Sequence, residues 1–285
     1  MSGTLNKNST TPVTASDDAA VQQLFERLAI AAGKKVMEVF HAGCVVGVKD
    51  DASPVTEADR ASEEIILEGL RAACPQVACV AEEEASAGIL PADLGAAFFL
   101  VDPLDGTKEF VKRSGDFTVN IALVRDGVPE IGVVYAPASG RFFSGRPGMA
   151  EALQLDPDDR IAARRGISVR TAPPLLTIVA SRSHRTPETD SFIGRFDGAE
   201  IVSVGSSLKF CLLACGEADL YPRFGRTMEW DTAAGDAVLR GAGGHTETLD
   251  GRPLAYGKRN QPHDADFANP FFIARAGVKD AVPPA

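Results

Sequence analysis

Apolar side chains recur at positions 21, 24, 25, 28, 32, 36, 39 and 40. This i, i+3, i+4 spacing sets one face of an α-helix against a core, and Gly43 stands where such a helix can end. A second helix is expected from about Thr56, because Ala58, Ala61, Ile65, Ile66, Leu70 and Ala73 share a face, Thr56 and Asp59 offer capping chemistry, and Pro75 follows. Asp59 therefore falls in a first helical turn. Further on, short unbroken apolar runs replace this rhythm. Ala97 to Val101 reads as a buried strand that delivers the chain straight into Asp102-Pro-Leu-Asp105-Gly106-Thr107. Val119 to Val124 and Ile131 to Tyr135 read as strands joined by a turn at Asp126-Gly127, with Phe142-Phe143 as a third, which predicts an antiparallel meander. Beyond Pro147 the pattern loosens into Asp156-Pro-Asp-Asp159 and two arginines, and a crossover is expected there. Strands resume at Leu175 to Ala180 and Ile201 to Val204. Helical spacing returns at Ser207 to Cys215 and Thr232 to Leu239, and a polar hairpin at Asp250-Gly251 leads to a last strand at Phe271 to Ala274.

Strands and helices interleave without strict alternation. The expected fold class is therefore α+β or mixed α/β, with sheets and helices layered in two lobes, rather than a parallel doubly wound sheet. The expected division is a disordered leader over residues 1–18, an N-terminal α+β lobe over 19–160 and a C-terminal α/β lobe over 161–285. With 39 acidic and 29 basic residues the formal net charge is −10, which argues against wrapping of nucleic acid or an anionic membrane. At 45% hydrophobic and 24% charged residues over a length of 285, the chain is not disordered as a whole. Its five cysteines are dispersed, with no Cys-x-x-Cys pair and no zinc spacing, which fits a reducing cytoplasm. The leader lacks a basic segment followed by an apolar one, so no secretory signal is expected. No apolar run approaches the ~20 residues of a membrane span. Peripheral attachment at the inner face of the plasma membrane and homodimerisation both stay open.

Three acidic segments carry the candidate chemistry: Glu82-Glu83-Glu84, Asp102 to Asp105, and Trp230-Asp231. Taken singly, a glutamate triplet is usually a solvated turn and Asp231 an ordinary helix start. Asp102 and Asp105 differ, since acids directly behind a buried strand are desolvated and close together, a costly arrangement without cations. Carboxylate and carbonyl oxygens are hard donors that suit Mg²⁺ or Mn²⁺ rather than Zn²⁺, and magnesium implies phosphate. Gly106 lets backbone approach a ligand, and the amides of Thr107 and Lys108 can open a helix and cradle phosphate oxygens. Asp-x-Asp-Gly-Thr marks the haloacid-dehalogenase-type phosphatases, but the spacing here is Asp-x-x-Asp-Gly-Thr and the motif follows two helices instead of lying on a first strand.

Ser53-Pro-Val-Thr-Glu-Ala-Asp59, Ala81-Glu82-Glu83, Asp102-Pro-Leu-Asp-Gly-Thr107 and Trp230-Asp-Thr-Ala-Ala-Gly235 occur in that order. Together they resemble the motifs of the magnesium-dependent, lithium-sensitive inositol monophosphatase superfamily, from about residue 20 to 275. Within it, Asp-Gly-Thr-Lys-Glu-Phe110, Gly115-Asp-Phe-Thr-Val-Asn-Ile-Ala122, Ser181-Arg-Ser-His184, Gly205-Ser-Ser-Leu-Lys-Phe210 and Leu220-Tyr-Pro-Arg-Phe-Gly225 look like the CysQ-type 3′(2′),5′-bisphosphate nucleotidase branch. Inositol-specific members usually read Asp-Gly-Thr-x-Asn-Phe, so Lys108-Glu109 favours the nucleotidases. Ala81 departs from the Gly or Ser of many relatives and changes no ligand.

The resemblance implies an inositol monophosphatase-like fold with two or three Mg²⁺ ions, replaceable by Mn²⁺, on Glu82, Asp102, the Leu104 carbonyl, Asp105 and Asp231. It implies that Asp59 with Thr107, and Glu82 through its metal, orient and deprotonate the attacking water. Gly106 and Thr107 amides would hold phosphate oxygens, with no phosphoenzyme. The substrate would be 3′-phosphoadenosine 5′-phosphate, converted to AMP and phosphate, and also its sulfated analogue, in the setting of sulfur assimilation. The site proper and His184, Ser206, Lys209 and Arg223 would contact it, Arg223 offering a guanidinium fork for a second phosphate. Each of these also has a plain reading: Lys209 as a solvated helix lysine, His184 as a loop residue, Ser206 as a cap, Arg223 as a surface charge. The alternatives are an inositol monophosphatase or broad sugar phosphatase, which would share the metal site, and a non-catalytic ligand-binding regulator, which would have no use for so many gathered carboxylates. Trp230 is expected to pack in the core, and Cys211 and Cys215 to behave as small apolar residues.

Overall fold

The computed structural model describes residues 17–43, 46–48 and 54–277. Residues 1–16 of the expected leader lie outside the described residues, whereas Asp17 and Asp18 belong to the first helix. In α1 (Asp18–Ala42) the Asp17 side chain accepts from the Ala20 amide and Gly43, at φ 84°, ends the helix, while Val21, Leu24, Phe25, Ala32 and Val36 form its buried stripe. An antiparallel pair, β1 (Val46–Val48) and β2 (Pro54–Thr56), leads into α2 (Glu57–Ala73). Its start is the capping box that the sequence suggests, with Thr56 and Asp59 reciprocally bonded.

A seven-stranded sheet follows, interrupted by two single-turn helices: β3 (Ala78–Ala81), α3 (Glu82–Ser86), β4 (Ala97–Asp105), α4 (Thr107–Val111), β5 (Thr118–Arg125), β6 (Val128–Ala136), β7 (Arg141–Arg146), β8 (Met149–Leu155) and β9 (Ile161–Gly166). The strands lie in sequence order, with β3 parallel to β4 and every later pair antiparallel. The meander is thus longer than expected, and the expected crossover after Pro147 is absent. Asp156 explains the difference: its carboxylate accepts from the amides of Asp158 and Arg160, so Asp-Pro-Asp-Asp closes a turn between β8 and β9. Nearly every residue of β9 is exposed, which leaves no apolar alternation to betray a strand.

The remaining elements are β10 (Thr177–Ser181), α5 (Pro187–Ile193), β11 (Glu200–Val204), α6 (Leu208–Ala214), β12 (Leu220–Arg223), α7 (Ala233–Gly241), β13 (His245–Thr248) and β14 (Phe272–Arg275). They build a five-stranded sheet in the order β11-β10-β12-β14-β13, with β10 parallel to β11 and β12 and β14 antiparallel to both neighbours. The change of sheet falls between Gly166 and Thr177.

Five layers result: α1 and α2, the large sheet, α6 and α7, the small sheet, and α5. Strand β4 shows why an unbroken apolar run was needed. Phe98 and Leu100 join the core between the sheets, Phe99 and Val101 join the core beneath α1 and α2, and all four are nearly inaccessible. Burial on both faces contributes roughly 1.5–3 kcal/mol per large side chain, and so holds in place the strand whose far end carries Asp102 and Asp105. Among the described residues no helix is long and apolar enough to cross a membrane.

Candidate metal and phosphate site

Four chain ends converge where the two sheets meet. Strand β3 stops at Ala81 and Glu82 opens α3. The end of β4 shifts register between Asp102, opposite Asn120, and Asp105, opposite Thr118. That irregularity, next to Pro103, breaks the alternation of a regular strand and lets Asp102, Leu104 and Asp105 all line one cavity of about 780 Å³. Ser206 and Ser207 precede α6, and Asp231 precedes α7, on the same cavity.

Carboxylate oxygens of Glu82, Asp102 and Asp231 lie within 4.8 Å of one another. Asp102 is almost wholly buried and accepts from the Leu104 amide at 3.0 Å, and Asp231 accepts from the Met228 amide at 2.8 Å. Burial first, then Glu82 and Asp105, holds the Asp102 carboxyl well above the usual range. Burial, then Asp105 and Glu82, pushes Asp231 up to about 8. Such a group of like charges tolerates its own proximity only by taking up protons or cations. Three hard oxygen donors with no Cys or His among them fit a divalent ion of the magnesium class. Asp105 stands outside this trio. It lines the same cavity, but its Oδ2 accepts from Ser207 Oγ at 3.1 Å, and burial raises its pKa against the opposing charge of Lys209.

Beside the acids, Gly106 has φ 94°, and a Cβ there would come within 2.9 Å of the Asp116 carbonyl oxygen, so both conformation and space demand glycine. The Thr107 hydroxyl lies 3.1 Å from Asp59 Oδ1 and 3.3 Å from the Leu104 carbonyl. Asp59 is held in turn by the amide and hydroxyl of Thr56, each donating to Oδ2 at 2.7 Å. Asp59 therefore caps α2 with one oxygen and bonds Thr107 with the other, and it sits behind Thr107 rather than on the cavity wall.

The same cavity also carries cationic and polar groups. His184, Ser206, Lys209 and Arg223 all line it, with Lys108 and Arg226. Lys209 is buried, its ammonium donating to the Ser206 carbonyl and lying 5.4 Å from the Tyr221 ring centre; burial lowers its pKa to about 8 despite the pull of Asp105. Arg223, likewise buried, spends Nε on the Gly225 carbonyl at 3.2 Å and Nη2 on that of Arg226 at 3.0 Å, which fixes its plane. Partial burial, then Arg223 and Lys108, hold His184 below its ordinary value, and Lys108 Nζ lies 3.1 Å from its Nε2. Ser206 adopts φ 49°, and its buried hydroxyl has no hydrogen-bond partner among the described residues.

Sequence reasoning missed several supports. Ser207 Oγ accepts from Asn120 at 3.0 Å and stands 2.6 Å from the Asp231 carbonyl and 3.1 Å from Asp105, so it ties the starts of α6 and α7 to β4. Glu63, one turn beyond Asp59 on α2, accepts from the Glu83 and Glu84 amides at 2.8 and 2.9 Å and thereby anchors the turn that carries Glu82; burial pushes its pKa up to about 7. The four-residue spacing of Asp59 and Glu63 was the one available signal. Trp230 is buried beside Phe267, at 6.2 Å between ring centres, and also forms part of the cavity wall.

The model of the inositol monophosphatase family matches residues 17–269. The chain is 44% identical over 248 residues to the 3′(2′),5′-bisphosphate nucleotidase CysQ of Escherichia coli K12, covering 86% of this chain and 96% of that protein. The crystal structure of CysQ from Bacteroides thetaiotaomicron superposes with a TM-score of 0.73 at 34% identity, over 92% of this chain and 99% of that one. An inositol monophosphatase from Anabaena gives 0.69 at 26% identity, over 93% and 97% of the two chains.

Proposed function

The chain belongs to the inositol monophosphatase family, and from that premise we propose that it is a Mg²⁺-dependent phosphomonoesterase acting on 3′-phosphoadenosine 5′-phosphate to release AMP and phosphate. One observation carries the choice of substrate. The cavity is acidic at Glu82, Asp102 and Asp231 and cationic at Lys209, Arg223 and Lys108, which suits a ligand with one phosphate for the metals and a second anionic group for the cations. A monophosphate of a neutral polyol would offer no anionic group to the fixed guanidinium of Arg223 or to Lys108 and Arg226 beside it on the cavity wall. The CysQ proteins that this chain resembles are bisphosphate nucleotidases by name. The sulfated analogue, with a sulfate extending the 5′ end, has the same two-ended charge and is the second substrate of this reading.

Glu82, Asp102 and Asp231, with Asp105 and the Leu104 carbonyl alongside, would hold two or three ions. Those ions would neutralise the scissile phosphate, acidify a water molecule and stabilise charge on the departing ribose oxygen. The chain's own residues do the rest. Asp59, pinned on one oxygen by Thr56, uses the other to orient the Thr107 hydroxyl, so a Thr107 lone pair is available to a water and a proton can pass toward the carboxylate. Amides of Gly106 and Thr107 would hold phosphate oxygens, and Lys209, Arg223, Ser206 and His184 the remote phosphate and sugar. Positioning of both ends converts the attack into an oriented, near-unimolecular event.

Phosphate release across 3′-phosphoadenosine 5′-phosphate, its sulfated analogue, adenosine 2′,5′-bisphosphate, inositol 1-phosphate and fructose 1,6-bisphosphate, with and without Mg²⁺ and Li⁺, tests this. Preference for the adenosine bisphosphates is expected. Preference for inositol phosphate would make the protein an inositol monophosphatase, and Mg²⁺-independent binding without turnover would make it a regulator.

A further inference from the structure

Asp116 is not among the residues that line the cavity, yet its backbone is wedged between two turns that do. A Cβ on Gly106, next to Asp105, would meet the Asp116 carbonyl oxygen at 2.9 Å, and a Cβ on Gly205, next to Ser206, would meet the same atom at 2.8 Å and the Asp116 Cβ at 2.9 Å. Neither glycine leaves room for adjustment, since the opposing atoms include main chain on both sides. The Asp116 side chain adds a second set of ties. Its Oδ2 accepts from the Gly205 amide at 3.4 Å and forms an ion pair with Arg182. Arg182 also donates from Nη2 to the carbonyl of Ser203 at 3.1 Å, on the strand that ends just before Gly205. Two neighbouring contacts run the same way: Ser183 donates to Glu109, and Lys108 lies 3.1 Å from His184.

Resting on the bisphosphate reading above, we propose that Asp116 is a positioning residue for substrate selection, fixing through Arg182 and Gly205 the span between the Gly106-Thr107 turn and the Ser206-Lys209 segment. A substrate held at two anionic ends depends on that span, because an error in it must be absorbed at one contact or the other. A substrate held at one end does not. Displacing a positioned group by ~1 Å costs as much as 10²-fold in catalytic efficiency, so the loss of one of several ties that set a binding contact is expected to cost about tenfold in kcat/KM. If Asp116 were only part of the scaffold, its loss would weaken both classes of substrate alike.

The test is steady-state kinetics of the full chain and of Asp116→Ala, Arg182→Ala and the double variant, on 3′-phosphoadenosine 5′-phosphate and on adenosine 3′-phosphate, which lacks the second phosphate. The expected result is a KM for the bisphosphate raised about tenfold in each single variant, kcat changed less than twofold, KM for adenosine 3′-phosphate unchanged, and a double variant no worse than either single one. Arg182→Ala removes an exposed side chain and carries the test if Asp116→Ala does not fold, as judged by thermal unfolding. Equal changes on both substrates, or none on either, would overturn the proposal while leaving the nucleotidase reading intact. Wild-type enzyme that shows no preference for the bisphosphate would overturn both.

Discussion

Asp231→Asn should make the metal-free protein more stable while removing its activity. In the folded chain the Asp231 carboxyl is pushed up to about 8 by burial and by Asp105 and Glu82, against ~3.9 in an unfolded chain. The folded state therefore binds the proton more tightly. Stability attributable to this group is complete below about pH 4 and is lost as pH rises toward about 8, where the folded carboxyl also ionises. At pH 7 some three pH units separate the medium from the unfolded value, and at ~1.4 kcal/mol per unit the upper bound on the penalty is ~4 kcal/mol. Asp231 is partly exposed at the cavity, and screening there brings the expected gain from Asn to about 2 kcal/mol. Asn keeps an oxygen for the Met228 amide, now 2.8 Å from Oδ2, so no backbone donor is orphaned. In a chelator at pH 7, thermal unfolding of the variant should come at a temperature about 4 °C higher than that of the wild type. In millimolar Mg²⁺ the order should reverse, because only the wild type gains binding energy from the ion, and turnover should fall at least 10²-fold. A variant less stable than wild type in chelator, or stabilised by Mg²⁺ to the same extent, would refute the reasoning.

Replacing Thr107 with Val removes the hydroxyl bound to Asp59 at 3.1 Å while keeping its shape, and should lower kcat by about 10²-fold with KM changed less than threefold; Thr107→Ser should restore most of it, and a KM effect of equal size would refute the water-positioning role. Lys209, with its pKa lowered to about 8 chiefly by burial, carries its charge below that pH and loses it above. KM for the bisphosphate should therefore climb as pH passes about 8, and this limb should vanish in Lys209→Met; an unchanged profile in that variant would show that another group titrates.

Much of this arrangement was legible in the sequence because local chemistry dictated it. Thr56 and Asp59 form a capping box from residues three apart, Gly106 stands where the backbone was expected to need a glycine, and the five apolar residues before Asp102, read as a buried strand, are one. Twelve candidate site residues were named, and eleven line one cavity, Asp59 standing behind it. What stayed hidden depends on distant partners. Strand β9 has no apolar alternation, with Ile161 alone packing on the core, and is held by its backbone pairing with β8. Ser207, Asn120 and Asp116 are ordinary polar residues until folding brings together segments about 90 positions apart, and no spacing rule reports that juxtaposition. Asp105 and Asp102 look equivalent three residues apart, yet Ser207 draws Asp105 away from the closest carboxylate group.

The gathering of Glu82, Asp102 and Asp231 into one ion-binding pocket is tested most directly by anomalous diffraction from crystals grown with Mn²⁺. A strong anomalous peak within ~2.0–2.3 Å of oxygens from all three residues, absent in Asp102→Asn crystals, is the result expected. Full occupancy of the crystals by nucleotide with no peak there, or a peak held by other residues, would contradict the assignment of this site.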